Sequence, residues 1–203
     1  PIASSTGGLD LSSKADFTAW RIVQKQGGKW VTTGHSWVTE DRARKHSDAG
    51  LPVYDWAEAG WITICPDARI DYDMVTERIL EDVQRYNITS VGYDSWQAEA
   101  VQQSLTRAGV EMVEVSQTFK GLTEASKELD ASINSMEFLH DGDPCLRGMA
   151  KNVTVKCDNR DNISPIKPDR QTMKAVDGIL ALVMAIGRGF TEAPQRTGRV
   201  AFA

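Results

Sequence analysis

Several kinds of functional residue are scarce in this chain. Its 203 residues include three cysteines and three histidines. Cys65, Cys145 and Cys157 form no C-x-x-C pair, and His35, His46 and His140 are scattered. The spacing excludes an ordinary zinc site and predicts free, buried thiols in a reducing compartment. No G-x-x-x-x-G-K-[ST] run is present to cradle phosphates, and no G-x-G-x-x-G follows a strand, which removes ATP and dinucleotide binding from this stretch. A serine-hydrolase reading fails for want of a G-x-S-x-G elbow. Long apolar runs are missing too: Gly178 to Gly187 (GILALVMAIG) is far short of the ~20 residues of a membrane helix, and no basic, apolar leader stands at the start. A soluble intracellular protein is expected. Net positive charge is also absent, since the balance is −5, which argues against binding nucleic acid with the whole surface.

What is present fits one globular domain with a sizeable core: 41% hydrophobic and 25% charged residues. The opening on Pro1 suggests a domain of a longer protein. Charge is distributed unevenly. Between Pro144 and Lys174 stand seven basic residues (Arg147, Lys151, Lys156, Arg160, Lys167, Arg170, Lys174) against Asp158, Asp161 and Asp169. A polyanion would lie along this stretch; the competing reading is a solvated face of alternating charge.

Along the chain, Pro1 to Gly8 is small and polar, and Leu9 to Ser12 reads as a short strand with Asp10 pointing opposite to Leu9 and Leu11. Phe17 to Gln26 and Lys29 to Val38 are rich in β-branched and aromatic residues and are joined by Gly27-Gly28, a hairpin signal. Three antiparallel strands are therefore expected first. Glu40 to Ala49 reads as a helix ended by Gly50-Leu51-Pro52, and Trp61 to Cys65 as a short edge strand in what looks like an insertion. The centre then alternates: a helix from Asp73 (as N-cap) to Tyr86, a strand from Ile88, a helix from Gln97 to Ala108 and a strand over Val110 to Val115, the pattern of a parallel sheet. A third helix is predicted from Leu122 to Leu139. Asn152 to Cys157 and Asn162 to Ile166 read as two strands, the second an edge because of Pro165. The last helix is placed over Thr172 to Arg188, and residues 191–203 are expected to be a disordered tail after a domain spanning 1–190.

The stretch Ile88 to Trp96 (ITSVGYDSW) delivers Asp94 to the carboxyl end of a strand, where open α/β sheets keep their chemistry. Taken alone, Asp94 is better explained as the N-cap of a helix beginning near Ser95. Asp10 and Asp177 change that balance. Asp177 stands among Val176, Ile179 and Leu180, and a carboxylate buried in such company needs a counter-charge or a metal.

Three strands in antiparallel order, alternating helices and strands, and a C-terminal helix, with acids on the first strand, the fourth main strand and the final helix, resemble the ribonuclease H-like fold, a mixed α/β sheet flanked by helices. The words narrow the resemblance. Gly8-Leu9-Asp10-Leu11-Ser12, Gly92-Tyr93-Asp94-Ser95-Trp96, Ser116-Gln117 with Lys120-Gly121-Leu122, His140-Asp141-Gly142-Asp143-Pro144 and Lys174-Ala175-Val176-Asp177-Gly178 are similar to the C-terminal nuclease part of the large terminase subunit of tailed bacteriophages. That resemblance covers nearly the whole chain. It implies an endonuclease that cuts concatemeric double-stranded viral DNA during packaging in the host cytoplasm, with Asp10, Asp94 and Asp177 holding two divalent cations, Mg²⁺ or Mn²⁺. Three carboxylates a few Å apart would repel by roughly 4 kcal/mol per pair at an effective dielectric near 20; a hard cation removes that repulsion, and two such ions suit in-line phosphodiester hydrolysis.

The resemblance also implies partners: an ATPase motor domain, a small terminase subunit and a portal, with no membrane. The motor's phosphate loop is absent here, and Ser95 stands where the family often has proline. Asp16 is a candidate second-shell or fourth ligand, though a turn suits it better. Lys174, three residues before Asp177, would share its helix side and meet a scissile phosphate or the acids. Gln117, Lys120, Lys151, Lys156, Lys167 and Arg170 are candidate DNA contacts. The alternatives are a Holliday-junction resolvase or transposase-like nuclease on the same fold, and a non-catalytic module that docks on the portal or small subunit.

Overall fold

The computed structural model describes residues 4–12, 16–95, 98–167 and 174–192. β1 (Ser5–Asp10), β2 (Thr18–Gln26) and β3 (Lys29–Thr39) form the expected antiparallel ribbon, turned at Gly27 and Gly28, whose φ values of 56° and 87° suit glycine. α1 (Glu40–Asp48) and α2 (Val53–Glu58) lead to β4 (Ile62–Cys65), which pairs parallel to β3. The segment expected to be an insertion thus contributes the edge strand of the main sheet. α3 (Tyr72–Tyr86), β5 (Ile88–Tyr93), α4 (Glu99–Arg107) and β6 (Glu111–Glu114) give the predicted alternation, with β5 parallel to β1 and β6 parallel to β5. The N-cap of α3 is Asp71, accepting from the Asp73 and Met74 amides, and not Asp73.

α5 (Phe119–Asn134) stops well before Leu139. Met136 takes a positive φ of 58°, which ends the helix and frees β7 (Phe138–His140) to pair parallel with Trp30–Thr32 of β3. α6 (Pro144–Asn152) is not among the expected helices, yet its signature is visible: Asp143 caps it, accepting from the Cys145 and Leu146 amides, and Pro144 occupies its first turn. β8 (Thr154–Cys157) and β9 (Ile163–Ile166) form the predicted two-stranded ribbon. α7 (Asp177–Glu192) begins at Asp177 rather than Thr172 and runs past residue 190; residues 193–203, the expected tail, lie outside the described residues.

The main sheet has seven strands in the order β4-β3-β2-β1-β5-β6, with β7 on β3. Both faces are covered. Leu9, Trp20, Trp37, Ile79, Val91 and Leu105 pack on the α3–α4 side, and Phe17, Val23, Leu122, Leu146, Leu182 and Ile186 on the α5–α6–α7 side. Cutting one of these large side chains back to alanine costs roughly 2–5 kcal/mol. Cys65 and Cys145 are buried as expected, but Cys157, on the ribbon, is exposed. No helix among the described residues is long and apolar enough to cross a membrane.

The first strand is expected from Leu9, but β1 begins at Ser5 and includes Gly7 and Gly8, where the packing is close. A Cβ on Gly7 would stand 2.1 Å from the Trp20 ring, and one on Gly8 1.8 Å from the Ala181 carbonyl of α7. Small residues on both partners let helix and strand backbones touch, which fixes how α7 lies on β1.

Candidate active site

The close approach of α7 to β1 has a register. Thr6 Oγ1 donates to the Ala185 carbonyl at 2.8 Å, and Gly8 abuts Ala181. Two strand residues advance about 6.6 Å and four helical residues about 6 Å, so the next step of the same match sets Asp10 against Asp177. Asp94 arrives from the other side. β1 and β5 are adjacent and parallel with Leu9 opposite Tyr93, which puts the following residues, Asp10 and Asp94, at neighbouring strand ends. Asp94 is not a helix cap: α4 begins at Glu99, behind Ala98.

Electrostatics records the crowding. Asp10 is held well above the ordinary carboxylate range by burial, then by the charges of Asp177, Asp94 and Asp16, with a hydrogen bond from Gln117 acting the other way. Asp177 is pushed up to about 7, by burial first and the charge of Asp16 second. One of its oxygens, Oδ2, is buried without a hydrogen-bond partner among the described residues. Oxygen donors, mutual repulsion and an orphaned buried carboxylate oxygen fit a hard divalent cation. The ring is not closed, however: among the described residues no three His, Cys, Asp or Glu side chains already form a group that could hold a metal ion.

The remaining candidates are placed as follows. Asp16 receives Lys167 Nζ at 2.8 and 3.0 Å and faces Arg42 Nη2 at 3.6 Å. Lys167 therefore stands in the acid neighbourhood, with its side chain largely covered. Gln117 is exposed and donates to Asp10 Oδ1 at 3.3 Å. Lys174 is exposed and precedes the first turn of α7, so it does not share the helix side of Asp177; the helix starts later than the apolar period suggests because Asp177 is its first residue. Lys120 on α5, Lys151 on α6 and Lys156 on β8 are exposed, and Lys156 lies over the Phe119 ring at 5.8 Å. Arg170 lies outside the described residues.

Behind the acids is a feature the sequence reading missed. Arg21 Nη1 meets Asp143 Oδ2 at 2.6 Å, both side chains fully buried, and Arg21 Nη2 donates to Ser36 Oγ at 3.3 Å. The signal was legible: a lone arginine in the apolar run Ala19-Trp20-Arg21-Ile22-Val23 must be paired. α6, capped by Asp143, holds the entry to α7. Asn152 Nδ2 donates to the Ala175 carbonyl at 3.1 Å and Met149 Sδ receives the Gly178 amide at 3.1 Å, so the support of α6 flanks Asp177 on both sides.

Comparison with known proteins gives the family and the fold. Residues 5–192 match the family described as the terminase large subunit, endonuclease domain. The large terminase subunit of Enterobacteria phage HK97 is 26% identical over 195 residues, 94% of this chain and 38% of that protein. The crystal structure of the HK97 large terminase superposes with a TM-score of 0.82 at 24% identity, over 93% of this chain and 40% of that one. A large terminase nuclease from thermophilic phage G20c, solved with bound magnesium, gives a TM-score of 0.57 at 13% identity over 93% of this chain and 82% of its own. The chain thus spans about two fifths of the length of its HK97 relative.

Proposed function

Since the chain belongs to the family of terminase large-subunit endonuclease domains and has their ribonuclease H-like fold, we propose that it cuts concatemeric double-stranded DNA during viral genome packaging, using divalent cations held by Asp10, Asp94 and Asp177. The observation that carries this reading is the pair of carboxylates, buried Asp10 at the carboxyl end of β1 and half-buried Asp177 with its enclosed Oδ2 at the first residue of α7, both raised above the ordinary carboxylate range. Two ions, Mg²⁺ or Mn²⁺, would supply an activated water and neutralise charge on the leaving oxygen when bound. The protein's part is to hold oxygen donors on rigid elements. Asp10 and Asp177 are fixed by the contact of α7 with β1, while Asp94, half-buried just past β5, would complete the ligand set from the end of the neighbouring strand. Gln117 keeps one oxygen of Asp10 oriented. The magnesium bound in the G20c nuclease supports the same choice of ion.

Exposed Lys120, Lys151 and Lys156 suit phosphate contacts without reading base edges, so cleavage by this domain is weak and independent of sequence. Site choice then comes from the ATPase motor, small terminase subunit or portal, partners suggested by the family. The family match favours packaging over resolvase or transposase chemistry. Supercoiled plasmid incubated with Mn²⁺ beside an EDTA control tests the reading: nicking is expected only with metal, and Asp177→Asn should reduce it at least a thousandfold, as for loss of an essential charge-stabilising group. Absence of nicking by the folded parent chain would favour a docking module whose acids do no chemistry.

A further inference from the structure

Asp16, Arg42 and Lys167 lie beside the acid cluster and are not used by the reading above. Asp16 carries two cations. Lys167 Nζ bridges both its oxygens at 2.8 and 3.0 Å, and Arg42 of α1 stands 3.6 Å from Oδ1. Its backbone is tied down as well: the Asp16 amide donates to Ser12 Oγ at 3.1 Å, and Ser12 exchanges bonds of 3.0 and 2.9 Å with Thr18 at the start of β2. A carboxylate so satisfied is a poor fourth metal ligand. The group of three keeps a net charge of +1, beside Asp10 and Asp177, which form no ion pair among the described residues.

An ammonium has three donors, and Asp16 takes at most two of those of Lys167. The Lys167 side chain is 16% exposed, enough for one further contact, and its charge is felt by Asp177. Lysine ordinarily gives up much rotamer freedom on binding a ligand, and here Asp16 has already ordered it. Lys167 also follows β9 directly, so a DNA backbone laid along the exposed Lys156 and Arg160 of the ribbon leads to it.

We propose that Lys167 contacts the scissile phosphate and that Asp16 is the positioning residue that aims its ammonium there. The inference rests on the nuclease reading. A pre-placed cation at that point stabilises charge that grows on the phosphoryl oxygens during cleavage. The competing role is a strut: Lys167 merely pins the β8–β9 ribbon to the loop after β1.

The test compares the parent 203-residue chain with Lys167→Met, Lys167→Arg and Asp16→Asn. In EDTA, the salt dependence of duplex binding should lose about one phosphate contact, a slope change near 0.9, in Lys167→Met. Nicking in Mn²⁺ should fall about 100-fold, and Lys167→Arg should recover part of both. Asp16→Asn should retain the salt slope but lose cleavage, because the cation stays without its aim. The Mn²⁺-induced rise in melting temperature should survive in all three, since none is a ligand. A strut would leave the salt slope and the nicking per folded molecule of Lys167→Met unchanged, and that result overturns the proposal. If the parent chain shows neither nicking nor a metal-induced rise, the nuclease reading has failed and this one with it.

Discussion

Asp143 and Asp177 both act on the buried thiol of Cys145, which burial and then the Asp143 charge push up to about 12, yet the two aspartates are treated oppositely. Asp143 has the guanidinium of Arg21 at 2.6 Å and two backbone amides, from Cys145 and Leu146, at 2.7 and 3.1 Å. Neither Asp143 Oδ2 nor Asp177 Oδ2 has a hydrogen bond among the described residues, but the first lies against the Arg21 charge and the second has no ion pair there. The first carboxylate is charge-compensated as the protein stands and works as a structural joint between β2 and α6. The second is incomplete, and the same fold that could have satisfied it keeps it apart from any near cation but Lys167. An unpaired buried acid is costly; placed next to a paired one, it marks where the protein has left room for a positive ligand from outside.

Breaking the paired side should cost most. Asp143→Asn retains a good N-cap for α6 but leaves the buried Arg21 charge uncompensated, so a loss of about 3–5 kcal/mol is expected in urea unfolding. Nicking per folded molecule should persist, because Asp143 touches no substrate. A loss below about 1 kcal/mol would mean that Arg21 finds another partner and that the contrast with Asp177 is overstated.

How much of this contrast could be read from sequence depends on the range of the interaction. Asp10, Asp94 and the hairpin were legible because alternation, turn glycines and strand-end position are local signals. The α3-β5-α4-β6 alternation was legible for the same reason. The start of α7 was misjudged because the apolar period running on either side of Asp177 hides its helix boundary, and Lys174 was misplaced with it. Lys167 meets Asp16 across 151 positions, and Gln117 meets Asp10 across 107. No periodicity reports such pairings. Asp143-Pro144 did carry a cap signature, and was passed over because the polar run His140 to Asp143 reads as a loop.

A second way to sharpen the comparison is pH, in metal-free buffer. Asp177, at about 7 when folded against an ordinary 3.8, binds a proton in the folded chain that the unfolded chain has released, so its contribution to stability falls as pH rises from about 4 to 7, by up to roughly 4 kcal/mol. Asp10 acts in the same direction. His35 and His46, both pushed down to about 4 by burial, act oppositely: the unfolded chain binds their protons first, so stability rises from about pH 4 to 6.5, by roughly 3 kcal/mol each. In the parent chain these slopes largely cancel. Asp177→Asn removes part of the falling one, so its stability in EDTA should climb from pH 4 to 6.5 more steeply than the parent's and exceed it at pH 7. Parallel profiles from chemical unfolding at several pH values would show that Asp177 is not strained by its surroundings.

The smallest effect belongs to Asp94, half-buried just past β5. In EDTA, Asp94→Asn should change stability by no more than about 0.5 kcal/mol, because the substitution keeps the shape of a half-buried side chain and removes one of the charges that crowd Asp10. With metal the comparison turns. Mn²⁺ at a hundred times its dissociation constant stabilises a protein that binds it only when folded by about 2.7 kcal/mol, a rise in melting temperature of roughly 5–10 °C for a domain of this size. If Asp94 swings in to complete the ligand set, Asp94→Asn should blunt that rise as strongly as Asp10→Asn does, although the two variants differ in EDTA. A full metal-induced rise in Asp94→Asn would instead leave the ion to Asp10 and Asp177 alone, and Asp94 would owe its place at the end of β5 to something other than metal.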